Sequence, residues 1–290
     1  MANVYEMVTD RIVEQMEKGV IPWRQPWVGG ESLAISYESR KAYSFLNQLL
    51  LGKPGEWLTW NQIQKKDGKV RKGAKSRFCV FYQMVVNEET NPATGEVEKK
   101  SYPVLKWYKV FHIDDTEGIE SKVEKVEANK EIKPIEVAEE VIKGYLDREQ
   151  DLKFINDRES DRAYYSPSLD EVVVPMISQY EIPEEYYSTT FHELTHSTMH
   201  EKRCNRKDEN KTSHFGNADY SREELVAELG AAMLCNRIGI ENEKAFKNSA
   251  SYIKGWLSAL KNDPKMIVWA AGRSEKAAKY ILNESEGTGA

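Results

Sequence analysis

The sequence predicts an α+β protein built as two domains, and three observations carry that prediction. Both parts of the chain combine helical apolar periods with short strand-like runs. The formal charge of −6 divides unevenly, with a net +5 over residues 1–110 and a net −11 over the rest. Residues 114–134 are densely charged, have no strong hydrophobic period, and read as a link. The expected boundaries are therefore 1–113 for the first domain, 114–134 for a charged linker and 135–290 for the second domain. Ordinary variation in the sign of a solvated surface is the alternative reading of the charge split.

Val4, Met7, Val8, Ile12, Val13 and Met16 recur at helical spacing, so a helix is expected over residues 2–18 with Gly19 as its stop. Pro22, Trp23, Pro26, Trp27, Gly29 and Gly30 then predict a loop. Phe45, Leu46, Leu49 and Leu50 mark a short helix over Tyr43–Leu51, and Gly52 and Pro54 end it. Trp57–Gln64 reads as a further short helical piece. Phe78–Val86 and Tyr102–His112 are rich in β-branched and aromatic residues and predict two strands, joined across Asn91–Gly95 as a hairpin.

Beyond the link, Val137, Val141, Ile142 and Tyr145 predict a helix from Ile135. Ala163–Tyr165 and Glu171–Val174 predict short strands around a turn containing Pro167. Pro183 stands at the first position of the next helix, and Glu184 and Glu185 occupy its first turn, where negative charge suits the helix dipole. Ser221 with Glu224 three residues on is a capping box opening another helix toward Gly239. Helical spacing resumes at Ala245–Leu260 and Glu275–Leu282.

Composition narrows the function classes. Apolar residues make up 40% and aromatics 10%, enough for a packed core. No run approaches the roughly 18 apolar residues of a membrane span. Met1–Glu6 shows neither a basic lead nor an apolar segment, so no secretory signal is expected. Three widely spaced cysteines, Cys79, Cys204 and Cys235, favour a reduced, cytoplasmic setting over a disulfide framework, and none has a Cys-x-x-Cys partner.

The most specific short motif is His192-Glu193-Leu194-Thr195-His196. Three of the five histidines, His192, His196 and His200, fall in this segment. On a helix, residues four apart share a face about 6 Å apart along the axis, so His192 and His196 can grip one divalent ion at roughly 2.0–2.1 Å each. Glu193 then reaches water beside that ion as a general base. Zn²⁺ is the expected cofactor, and another divalent transition metal is the alternative.

A catalytic site needs a third ligand and an open position. His200 stands about 12 Å along a straight helix from His192 and cannot share the ion. Met199 and Lys202 stand where the metzincin pattern needs Gly and His, so the site reads as gluzincin-like. Glu224 and Glu228, one turn apart on the next helix, are the candidates. Glu224 is favoured as ligand, with Glu228 supporting a histidine; a capping role for Glu224 would promote Glu228 to ligand. His214 and Tyr220 are weak candidates for a transition-state donor. Val172-Val173-Val174 reads either as an edge receiving an extended peptide or as a buried core strand.

Lys65, Lys66, Lys69, Arg71, Lys72, Lys75 and Arg77 lie within thirteen residues, opposed only by Asp67. Five of the seven tryptophans, Trp23, Trp27, Trp57, Trp60 and Trp107, also precede residue 110. Cations with interleaved rings suit single-stranded nucleic acid, whose phosphates meet Lys and Arg while unpaired bases stack. Trp23 and Trp27, in the Pro/Gly loop, are the expected exposed stackers. The alternative is that these rings form the core of a small domain beneath a solvated basic loop.

The chain resembles the ArdC-type antirestriction proteins of plasmids and other mobile elements, whose relatives include conjugative-transfer and primase-associated proteins. The resemblance rests on Ile21-Pro22-Trp23, Tyr43–Leu51, Trp57–Gln62, Lys69–Lys75 and Tyr108–Phe111 in the first part. In the second it rests on Phe191–His196, Phe215-Gly216, Tyr220, Glu223–Glu228, Ser251–Ile253 and Trp256-Leu257. It spans nearly the whole chain outside the linker and the extreme C-terminus. Ser44-Phe45 stands where family members often carry Arg-Gly. The resemblance implies an N-terminal single-stranded-DNA-binding domain, a C-terminal zincin-like metallopeptidase domain, and protection of incoming DNA from restriction.

Three functions follow as expectations. One is a single-stranded-DNA-binding antirestriction protein with a peptidase-like site. Another is a DNA-binding protein whose metal is structural or regulatory. The third is a metallopeptidase acting on a protein regulator.

Overall fold

The computed structural model describes residues 3–24, 33–90, 97–122, 134–206, 222–240 and 250–284. Helix α1 (Val4–Glu17) begins at a reciprocal cap: the Asn3 side chain accepts from the Tyr5 N–H at 3.2 Å, and Glu6 accepts from the Asn3 N–H at 3.1 Å. Val8, Ile12, Val13 and Met16 are buried along one face, as their spacing predicts. A single 3₁₀ turn, Pro22–Arg24, follows and drops Trp23 into the interior.

Strand β1 (Ala34–Ser36), helix α2 (Phe45–Leu51), strand β2 (Gly55–Leu58), helix α3 (Trp60–Gln64) and strand β3 (Lys69–Val70) lead to a long hairpin. Its strands are β4 (Arg77–Thr90) and β5 (Val97–His112), of 14 and 16 residues, and β6 (Thr116–Glu117) follows. At the usual rise per residue the hairpin is about 45 Å long. One sheet has the order β1-β2-β5-β4, and β3 pairs separately with β6.

The expected helix over Trp57–Gln64 is thus two elements. Trp57 and Leu58 belong to β2, which pairs parallel with β1 and antiparallel with the end of β5. Thr59 breaks the strand and caps α3, accepting from the Gln62 N–H at 3.3 Å. Thr116 and Glu117, which the sequence places in the link, pair with Val70 and Lys69. Residues 123–133 of the link and the hairpin connection at 91–96 lie outside the described residues.

The second part contains α4 (Pro134–Arg148), β7 (Lys153–Ile155), β8 (Tyr164–Ser166), β9 (Glu171–Val173), α5 (Pro183–Ser197), α6 (Arg222–Ile238), α7 (Ala250–Asn262) and α8 (Met266–Leu282). Strand β7 is absent from the sequence reading, because Lys153–Ile155 is too short to show an alternation. The sheet order is β7-β9-β8, so both edges of β9 are already paired. Val172, Val173 and Val174 are at most 1% exposed. That overturns the edge-strand reading of this run: an extended peptide has no free edge on β9, and the run is core.

Two large apolar clusters organise the molecule. One joins α1, Trp23 and α2 to α6, α7 and α8, with Val80 and Leu105 of the hairpin. The other gathers α4, β9 and α5 around α6 and α8. Helices α6 and α8 therefore contribute to both. Among the described residues no helix is long and apolar enough to cross a membrane.

Helices α5 and α6 approach closely at Gly230. A Cβ on Gly230 would stand 2.5 Å from Cγ2 and 2.7 Å from Oγ1 of Thr195. Thr195 is fully buried, and its hydroxyl donates to the Phe191 carbonyl at 2.7 Å. Gly230→Ala is expected to destabilise the protein by about 1–3 kcal/mol through overpacking, read as a lower denaturant midpoint with an unchanged slope.

Candidate metal centre and nucleic-acid surface

Pro183 opens α5 at its first position, and Glu184 and Glu185 lie in the first turn. Nine and thirteen residues after Pro183 the same helix presents His192 and His196, one turn apart on the side facing α6. Their Nε2 atoms are 3.2 Å apart. The Glu224 carboxylate, in the first turn of α6, straddles them: one oxygen is 3.5 Å from His192 Nε2 and the other 3.5 Å from His196 Nε2. Two ligands of a tetrahedral ion bound at 2.0–2.2 Å are separated by about 3.4 Å. The three side chains thus stand at the corners that one divalent ion requires, and they form a three-residue donor cluster. No cysteine joins that cluster among the described residues, and Cys79 and Cys235 are buried as free thiols.

Glu228 lies one turn beyond Glu224 and acts on the His192 ring electrostatically at longer range. Glu193 is buried beside the pair, at 8% exposure. Helix α5 ends at Ser197, so His200 lies past it, where Nδ1 accepts from the Lys202 N–H at 3.3 Å. Ser221, His214 and Tyr220 lie outside the described residues.

A supporting layer escapes the sequence reading. Glu223 Oε1 lies 3.6 Å from His196 Nδ1, the ring nitrogen turned away from the donor cluster. Arg206 Nε and Nη2 donate to the two Glu223 oxygens at 3.1 and 2.7 Å. The same guanidinium donates to Thr198 Oγ1 at 2.7 Å and to the Thr195 carbonyl at 3.0 Å. Arg206 is 2% exposed and Glu223 7%. This acid–imidazole contact fixes which nitrogen of His196 faces the cluster. No spacing rule links Arg206 to Glu223, so only the folded chain reveals the pair.

Electrostatics binds the cluster together. Burial disfavours a charged His192, but the hydrogen bond its ring donates to Glu224, together with the charges of Glu193 and Glu228, raises the ring above its ordinary value. Burial likewise opposes charge on His196, but Glu223 and Glu224 lift it to about 10. Burial pushes the Glu224 and Glu223 carboxyls up, and the facing imidazoles, with Arg206 for Glu223, bring both below the usual range. The facing acids thus favour the protonated form of both rings. A metal ion must displace those protons.

The basic segment is less uniform than its sequence suggests. Lys65, Lys69, Lys72 and Lys75 are exposed. Lys66 pairs with Glu38 at 3.0 Å and lies over the Tyr37 ring. Arg71 Nε donates to the Thr116 carbonyl at 3.1 Å and its guanidinium lies 3.7 Å from Glu117. Arg77 stacks on Trp57 at 5.6 Å and burial lowers its pKa. Arg71 and Arg77 thus brace the fold as much as they face solvent.

Trp23 requires a correction. It is 0% exposed and meets Trp256 edge-on at 6.3 Å. A proline-flanked tryptophan near a glycine pair reads as a surface loop, but the apolar cluster under α1 captures the ring, so it cannot stack on a base. Trp27 lies outside the described residues. Among the described residues the exposed rings are elsewhere: Trp60, Phe81, Tyr82, Tyr102 and Trp107 are 41–55% exposed.

Residues 2–111 match the family described as the N-terminal domain of the anti-restriction factor ArdC, and residues 148–273 match the zincin-like metallopeptidase family. The fold is similar to that of the antirestriction ArdC protein from the R388 plasmid. The metal-free structure of that protein is 30% identical, with a TM-score of 0.68 over 98% of this chain and 100% of the other. Its Mn(II)-bound structure gives 29% identity and a TM-score of 0.69 over 99% and 100%. Two proteins from Escherichia coli named DNA primase TraC are 27% and 28% identical over 96% of this chain. The chain spans only 20% and 27% of their lengths. A Sinorhizobium fredii protein, y4eC, is 28% identical over 96% of this chain and 91% of its own length.

Two outcomes follow from the donor geometry. Because protons compete for the same ring nitrogens, Mn(II) affinity measured by calorimetry is expected to weaken at least about tenfold between pH 8.5 and 6.5. The sign is set by the raised histidine pKa values: the charge of His196 is complete at low pH and is lost as pH rises toward about 10, and His192 is shifted in the same direction. Arg206→Met strands a buried carboxylate and is expected to cost about 3 kcal/mol in denaturant unfolding.

Proposed function

This chain belongs to the ArdC-type antirestriction proteins, and on that premise we propose that it binds single-stranded DNA through its N-terminal part and carries a hydrolytic, metallopeptidase-like centre in its C-terminal part. The observation that carries the second half is the donor triangle of His192, His196 and Glu224, with Glu193 buried beside it. Exposed Lys65, Lys69, Lys72 and Lys75 support the first half, since phosphate contacts by surface cations dominate nucleic-acid affinity. In this reading the protein shields entering plasmid or other mobile-element DNA, during conjugation for example, inside a recipient cytoplasm.

His192, His196 and Glu224 would hold the ion, with Zn²⁺ and Mn²⁺ both suited to two imidazoles and a carboxylate. Such an ion supplies Lewis-acid polarisation of a peptide carbonyl and makes neighbouring water more acidic. With the ion bound, Glu193 would take a proton from the water as its oxygen bonds to the carbonyl carbon, and would return that proton to the amine nitrogen as the C–N bond breaks. Glu223, braced by Arg206, keeps His196 in the tautomer that presents Nε2. The substrate of this chemistry is a protein or peptide chain.

Glu193→Ala separates hydrolysis from binding. The variant is expected to retain metal by elemental analysis and single-stranded DNA by anisotropy, while losing restriction protection in a conjugation assay. Protection at the original level, with metal still bound, would refute the hydrolytic role and leave a structural or regulatory metal.

A further inference from the structure

The register of the hairpin sorts its side chains onto two faces. Cys79 pairs with Tyr108, Phe81 with Lys106 and Val85 with Tyr102, so these six share one face. Phe81 and Tyr108 meet at 5.7 Å between ring centroids. Helix α3 brings Trp60 alongside, with its own ring resting on Phe111 at 6.2 Å. Between them opens a cleft of about 550 Å³ lined by Thr59, Trp60, Asn61, Phe81, Tyr108 and Lys109. That volume falls within the roughly 300–1,000 Å³ typical of small-ligand sites.

The chemistry of the lining is specific. Trp60 is 51% exposed and Phe81 42%. Large rings left in solvent beside an amide, a hydroxyl and an ammonium match a flat aromatic ligand with polar edges and an attached anion. Tyr108 is held from below by contacts with Tyr43 and the Cys79 thiol, and burial pushes its phenol up to about 12, so it stays neutral and fixed. Helix α3 is pinned by the reciprocal Thr59–Gln62 cap at 2.7 and 3.3 Å. Both walls are therefore preorganised. Lys65, the exposed first residue of the basic segment, caps the helix that carries Trp60.

We propose that this cleft is the base-stacking site: one or two unpaired bases insert between Trp60, Phe81 and Tyr108, with Lys109 and Lys106 on the flanking phosphates. The assignment rests on the single-stranded-DNA reading above and replaces the buried Trp23 as the stacking ring. Duplex DNA is excluded, because its base faces are already stacked on one another.

The test is anisotropy of a labelled oligothymidylate with the intact chain across a salt series. Trp60→Ala and Phe81→Ala are each expected to weaken binding about tenfold with an unchanged salt slope, because stacking releases no counterions. Trp60→Phe is expected to retain most of the affinity, and Lys109→Ala to lower the slope by about 0.7. Circular dichroism checks that each variant is folded. If the unmodified chain binds but Trp60→Ala and Phe81→Ala bind within twofold of it, the stacking assignment is overturned and the DNA-binding reading stands. If the unmodified chain binds no oligothymidylate, both fall.

Discussion

The close contact between α5 and α6 is the constraint on which the site depends. Gly230 lets the helices approach until its Cα side meets Thr195, the residue immediately before His196. At that spacing the first turn of α6 delivers Glu224 to both histidine rings and Glu223 to the far side of one of them. Two adjacent residues of α6 thus act on opposite sides of one imidazole. Arg206 ties the chain beyond α5 to the same turn, so the carboxylate behind His196 has no freedom to rotate away. Helix α5 supplies two donors by its own periodicity; the third exists because two helices are packed in one register.

Helix α6 has a second consequence. It and α8 belong both to the core around α5 and to the core that buries α1, Trp23 and α2. The residues matching the two families are therefore not separate bodies joined by a tether, since the first helix of the chain packs with the last two. The hairpin base, through Val80 and Leu105, enters the same cluster. Beyond that base the hairpin relies on its own ladder. A two-stranded ribbon has little stability by itself, so its outer half depends on the cross-strand pairs of β4 and β5.

Elements with a complete local signal were legible. α1 combined a capping residue, an apolar stripe and a glycine stop, and α5 combined Pro183, two glutamates and the histidine pair. Elements whose stability comes from partners were not. β2 read as part of a helix because Trp57 and Leu58 carry no alternation of their own; pairing with β1 and β5 makes them a strand. β7 is three residues held by β9. Trp23 carried every mark of a loop residue, and only the cluster beneath α1 shows that burial is its role.

The order of residues alone determined the two histidines on one helical face, the acid between them, the concentration of lysines before the hairpin and the α+β character of both parts. These are properties of short segments, set by helical and strand periods. Tertiary structure decided which acid meets the histidines, that Arg206 stands behind Glu223, that Trp23 is inside and that Trp60, Phe81 and Tyr108 line one cleft. Those facts depend on contacts between residues far apart in the chain, and packing distance and strand register, not local spacing, set them.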